Sequence, residues 1–173
     1  LLISIFSLFL FYFALEKYFD KKVTTVVNNS YELAKDYVDE VRNKIQSEIV
    51  LIAFDTNKSK TFLNNNADEY KRFLNTQKII RGVDEIHIID INKKLLFTTL
   101  DDNQPYVPPV DKALNLVLED DRPLKIINAF ENRSAAIMRL QNFDDKFLYV
   151  VNYLDENISK YLTESQEAIN FYY

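Results

Sequence analysis

The chain has 173 residues, 47% of them apolar and 14% aromatic, and carries a formal net charge of −5. Such a composition supplies one globular core and excludes a disordered chain, while an acidic balance with scattered basic residues excludes nucleic acid, whose phosphates would be repelled. The absence of cysteine and the presence of one glycine, Gly82, exclude disulfides, thiolate chemistry, sulfur-ligated zinc and every glycine-rich phosphate loop.

Residues 1–15, LLISIFSLFLFYFAL, carry no charge. At 1.5 Å per residue they cover about three-quarters of a hydrocarbon layer of about 30 Å, so the run reads as part of a transmembrane helix. A buried core helix is the competing reading, but a segment apolar on every face would need more surrounding protein than this chain supplies. Tyr12, Phe13, Tyr18 and Phe19 fall where an interfacial aromatic belt would sit, and Asp20, Lys21 and Lys22 follow on the aqueous side. With leucine first and no charged leader, the chain reads as a piece of a longer protein.

Residues 16–56 contain neither glycine nor proline, and Val23, Val27, Ser30, Ala34, Tyr37 and Val41 recur at alternating steps of four and three. That spacing predicts one long helix with a stalk, and its seam, carried by Val23, Val27, Ala34 and Val41, predicts a homodimer. A second stripe of Val38, Val41, Ile45, Ile49 and Ile52 faces a domain, and the polar run at 55–59 ends the helix. Three asparagines at 64–66 cap a second helix over 67–80, which Gly82 closes.

The period then shortens. Residues 84–90 (DEIHIID) and 94–100 (KLLFTTL) read as a hairpin, and after a proline-rich loop at 105–109 a short helix covers 109–118. Strands at 124–130, 135–140 and 147–154 complete a ββαβββ order, and Asp155 caps a helix running to the aromatic residues 171–173 at a second membrane edge. The layout is a partial transmembrane helix (1–15), a long stalk and domain helix (16–56), a sheet domain (57–154) and a C-terminal helix returning to the membrane (155–173). The fold class is α+β.

A long helix, a five-stranded antiparallel ββαβββ sheet and a C-terminal helix resemble the PAS-like, or Cache, sensor domains of bacterial transmembrane receptors. The stretch EIHIIDINKKLLFTT is similar to the hairpin of such domains, although Asn92-Lys93 stand where those hairpins turn on glycine. The stretch AIMRLQNFDDKFLYVVNYLDENISKYLTESQEAINFYY resembles the sensor end of NtrY-type nitrogen-regulation histidine kinases, as do residues 15–19 and 106–109 with their following helices. The resemblance implies an extracytoplasmic sensor region in the inner membrane, coupled to a kinase part and, through it, to an NtrX-type response regulator. The input domain of a chemoreceptor or cyclic-dinucleotide enzyme, or a membrane-tethered domain that docks a protein, would share this layout.

His87 is the only histidine and stands within an apolar strand, where a phospho-acceptor or a histidine-based metal site finds no partners. The acid pairs 101–102, 120–121 and 144–145 lie in expected turns without EF-hand spacing, so neither a metal nor a cofactor is expected. A hydrolase would need a nucleophile with a base in reach, and the sequence offers none. The resemblance places a small-molecule signal between the sheet and its crossing helix, and strand alternation selects His87, Phe97, Thr99, Asn128, Arg139, Tyr149 and Asn152 as candidate lining. A guanidinium at Arg139, between Met138 and Leu140, calls for a carboxylate from the protein or from a bound anion.

Overall fold

The computed structural model describes residues 2–63, 66–120, 122–128, 132–164 and 169–172 and divides into two units, Leu1–Tyr37 and Val38–Tyr173. Helix α1, Leu2–Leu63, begins in the first unit, where Phe6, Leu8, Phe9, Leu10, Phe11, Tyr12 and Phe13 are all exposed. No helix among the described residues is long and apolar enough to cross a membrane; the uncharged run is shorter than the ~20 residues a span requires. Of the expected seam, Ala34 is buried and Val41 half-buried, whereas the side chains of Val23 and Val27 lie outside the described set.

The second unit is built on an antiparallel sheet. Its strands are β1 (Glu85–Asp90), β2 (Leu95–Thr98), β3 (Leu124–Asn128), β4 (Arg133–Arg139), β5 (Lys146–Tyr153) and β6 (Ile169–Tyr172), in the order β2-β1-β5-β4-β3-β6. Helices α2 (Ala67–Arg81), α3 (Asp111–Glu119) and α4 (Glu156–Glu164) complete it. The α+β class and the ββαβββ core expected from sequence are both present. β5 is central, and six of its eight residues are buried, as its near-continuous apolar sequence FLYVV requires of a strand covered on both faces.

Alternation along the strands creates two cores. One face packs Ile86, Ile88, Ala136, Leu148 and Val150 against Ile45, Ile49, Ile52 and Ala53 of α1 and Tyr70 and Leu74 of α2. The other packs Ile89, Ile126, Ala135, Ile137, Phe147 and Val151 against Ala113, Leu114 and Val117 of α3. α2 begins at Asn66, whose side chain accepts from the Asp68 and Glu69 amides, and ends at Gly82 with φ +59°, where a side chain would be strained. In the β1–β2 hairpin, Lys93 takes the left-handed position (φ +64°), and the Asp90 carboxylate stabilises the turn by accepting from the Asn92 and Lys94 amides.

Two boundaries expected from sequence are corrected. α1 does not stop at 56: the Thr56 hydroxyl donates to the Ile52 carbonyl within the helix, and Asn57 and Lys60 turn their polar groups onto the β4–β5 turn. Their polarity serves packing contacts rather than a break in the helix. The C-terminal helix, expected over 155–173, ends at Glu164, and residues 169–172 pair with β3 as a sixth strand. The open edge of β3 supplies unpaired backbone groups, and an aromatic-rich segment suits the extended state.

Candidate functional site

β1 is buried on both faces, so the polar side chains it turns toward α3 must find partners inside the protein. Glu85 and His87, two residues apart, share that face. His87 is fully buried, with Nε2 2.8 Å from Glu85 Oε2 and Nδ1 2.8 Å from Thr98 Oγ1 on β2. An ionised carboxylate only accepts, which assigns the imidazole proton to Nε2 and leaves Nδ1 to accept from the Thr98 hydroxyl.

Glu85 gathers two further donors. Arg133 Nη2, at the start of β4, donates to Oε2 at 3.0 Å, and the Tyr153 hydroxyl on β5 donates to Oε1. Arg133 also lies over the Tyr153 ring, its Cζ 5.8 Å from the centroid. Four adjacent strands, β2, β1, β5 and β4, are thereby joined by one ionic network. Burial alone would raise the Glu85 carboxyl, but the hydrogen bonds from His87 and Tyr153 and the Arg133 charge outweigh it and hold the carboxyl below its ordinary value. Burial, followed by the bond to Glu85, pushes the Tyr153 phenol up to about 12. Burial likewise raises Tyr106, whose ring meets His87 edge-on at 5.4 Å while its hydroxyl donates to the Lys93 carbonyl.

Beside this network the segment 108–110 covers a cavity of about 30 Å³, lined by Pro108, Pro109, Val110, Ile126, Arg133, Ala135 and Tyr149. Arg133 is 6% exposed, and its Nε has no hydrogen-bond partner among the described residues.

The residues selected by strand alternation are distributed over both faces. His87 and Tyr149 come together on the α3 side, their rings 5.6 Å apart. Phe97 lies on the opposite face, stacked on Tyr70 at 4.1 Å, and Asn152 accepts from the Asp84 amide. Thr99 extends the β1–β2 pairing by accepting from the Ile86 amide. Arg139 is 40% exposed by its side chain and pairs with Asp145 of the β4–β5 turn, so its carboxylate comes from the protein. The side chain of Asn128 lies outside the described set. Glu85, Arg133 and Tyr153 were not among the candidates. Glu85 is legible as the partner of His87 at i−2, whereas Arg133 belongs by sequence to a turn and reveals itself only through the strand register Arg133↔Tyr153. Among the described residues no group of three or more acids or histidines is placed to hold a metal ion.

Fold and cluster define a class: an α+β domain whose single sheet carries a buried ionic network on one face and a long helix on the other. The chain belongs to the NtrY N-terminal region family, whose model matches residues 1–173, as the resemblance in its sequence implied. It is 21% identical over 159 residues to the nitrogen regulation protein NtrY of Azorhizobium caulinodans, covering 91% of this chain and 20% of that protein. It is 22% identical over 179 residues to a putative sensor histidine kinase NtrY-like of Rickettsia felis, covering 97% and 28%, and 27% identical over 90 residues to one from Rickettsia conorii, covering 52% and 15%. The chain thus spans under a third of the length of these relatives.

Proposed function

We propose that this chain is the extracytoplasmic signal-receiving region of a transmembrane sensor histidine kinase, in which the α3-side cluster answers the signal and α1 carries the response. One observation carries the reading: the strands that hold Glu85, His87, Arg133 and Tyr153 on one face pack α1 on the other through their alternate residues. A change in cluster packing therefore bears on Ile86, Ile88, Ala136 and Val150, and through them on Ile45, Ile49 and Ile52. Packed layers of this density shift as units rather than deform continuously.

Side-chain contacts secure residues 44–57 of α1 to the domain. Lys44 donates to the Gly82 carbonyl, Arg81 pairs with Asp55 at 3.0 Å, and Asn57 bonds Asn142 through both its side chain and its carbonyl. The exposed apolar side chains between Phe6 and Phe13 support membrane anchoring, since water around so many large hydrophobic groups is unfavourable. The PAS-like reading is supported by the ββαβββ succession and by β5 standing between β1 and β4 in the sheet. Pairing of two copies along the 23–41 seam and an NtrX-type regulator as the phosphoryl acceptor complete the proposal.

Autophosphorylation of the intact receptor in vesicles tests it. Arg133→Lys and Glu85→Gln shift the autophosphorylation level at least three-fold relative to wild type, whereas Asp102→Asn in an exposed loop leaves it unchanged. Equal levels in all four proteins contradict the proposal.

A further inference from the structure

Just beyond its uncharged run, α1 separates charge by face. Lys21, Lys22 and Thr25 follow Tyr18 at three, four and seven residues, so the four side chains share one side of the helix, where they line an open cleft of about 420 Å³. Lys17, four residues before Lys21, adjoins them. Glu16 and Asp20 each stand two residues from Tyr18, a turn of about 200°, and therefore lie across the helix from the cleft. The Lys22 ammonium is 3.5 Å from the Tyr18 hydroxyl and 5.6 Å from the centroid of its ring. Among the described residues the ammonium groups of Lys17 and Lys21 have no hydrogen-bond or ion-pair partner.

Depth along the helix identifies what this face meets. The exposed apolar side chains from Phe6 to Phe13 lie directly before it. Lys21 and Lys22 follow Leu15 by about 9–10 Å of helix rise, and helical side chains lean toward the N-terminus, so their ammonium groups reach back toward the apolar run. With that run in hydrocarbon, they fall in the headgroup layer, which is about 5–8 Å deep on each side of a bilayer. An anionic phosphate there accepts from both lysines and from the Tyr18 hydroxyl, whose proton is not used on Lys22. A zwitterionic headgroup would instead bring its own cation among the lysines. The Thr25 hydroxyl, which donates to the Lys21 carbonyl at 2.8 Å, is left to accept from a headgroup hydroxyl on the aqueous side.

We infer that the Tyr18, Lys21, Lys22 and Thr25 face of α1 is a docking surface for an anionic phospholipid, whose phosphate is held by the two lysines and the phenol. This rests on the reading of the apolar run as a membrane anchor and adds to it a preference among lipids. The lipid charge at this depth thereby becomes a determinant of how α1 is seated in the bilayer.

The whole chain, labelled with nitrogen-15 in phosphatidylcholine bicelles, is titrated with phosphatidylglycerol while amide resonances are followed. The amides of residues 17–22 are expected to shift saturably, and those of β1, residues 85–90, to stay in place. Lys21→Gln with Lys22→Gln should raise the half-saturating phosphatidylglycerol fraction at least five-fold with the β1 resonances unchanged. Lys35→Gln with Lys71→Gln, the same loss of charge at two other exposed lysines, should alter it less than two-fold. Equal effects of the two pairs overturn the inference, because net charge rather than this face then attracts the lipid. Glycerol 3-phosphate at the same phosphate concentration is expected to give less than a tenth of the shift, and an equal shift overturns the assignment to a lipid. A nitroxide carried on a lipid acyl chain separates this inference from the reading beneath it. If the label attenuates the amides of residues 6–13 but phosphatidylglycerol leaves residues 17–22 unmoved, the lipid preference fails and the anchor stands. If the label leaves residues 6–13 untouched, both fail.

Discussion

At the scale of single residues, Glu85 is the centre of the network, and its acid titration has a defined direction. Its folded-state carboxyl lies below the ordinary value of 4.5, so the native state binds the proton less readily than the unfolded chain. The resulting stability is fully present above pH 4.5 and is lost as pH falls through the lower folded value. Glu85→Gln leaves Arg133 buried without its carboxylate and is expected to cost about 3–5 kcal/mol at pH 7. Urea denaturation of wild type and variant between pH 7 and pH 3 should show that difference shrinking below about pH 4.5. A constant difference would mean that the carboxylate charge is not what the cluster uses. His87 was legible as a buried residue from the apolar residues around it, and its partner at i−2 could be read from strand alternation. Arg133 was not, because its sequence neighbours Asn132 and Ser134 are turn formers and only the pairing of β4 with β5 brings it beside Tyr153.

At the scale of elements, burial rather than helical character decides what each apolar residue contributes. Ile49 of α1 is fully enclosed by the sheet, whereas Ile80 of α2 is 66% exposed. Ile49→Ala is expected to destabilise the domain by about 2–5 kcal/mol, and Ile80→Ala to stay within about 0.5 kcal/mol, as measured by urea denaturation. Comparable losses at both positions would show that the helical layer is covered differently. The stripe of Ile45, Ile49 and Ile52 was visible in the sequence because a helix facing a core repeats every three or four residues. The continuation of α1 past Thr56 was not, since polar residues that bond a distant turn look locally like a helix stop. β6 escaped for a related reason: helical spacing persists into Ala168 and Ile169, and the open edge of β3 that favours extension is a property of the assembled sheet.

At the scale of the whole molecule, two faces of one sheet are assigned different work, and their connection is the central claim. The core strands, their ββαβββ succession along the chain and the flanking helices were within reach of pattern reasoning because periodicity and turn residues agree along most of the chain. The site was less legible, since it depends on which strands become neighbours. Hydrogen exchange along the intact receptor, comparing wild type with Arg133→Lys while β5 amides stay protected in both, measures the connection directly. Altered protection at residues 45–56 of α1, on the face away from Arg133, is the predicted result. Changes confined to residues 106–119 and 133–135 would contradict it, because the sheet would then isolate its two faces rather than join them.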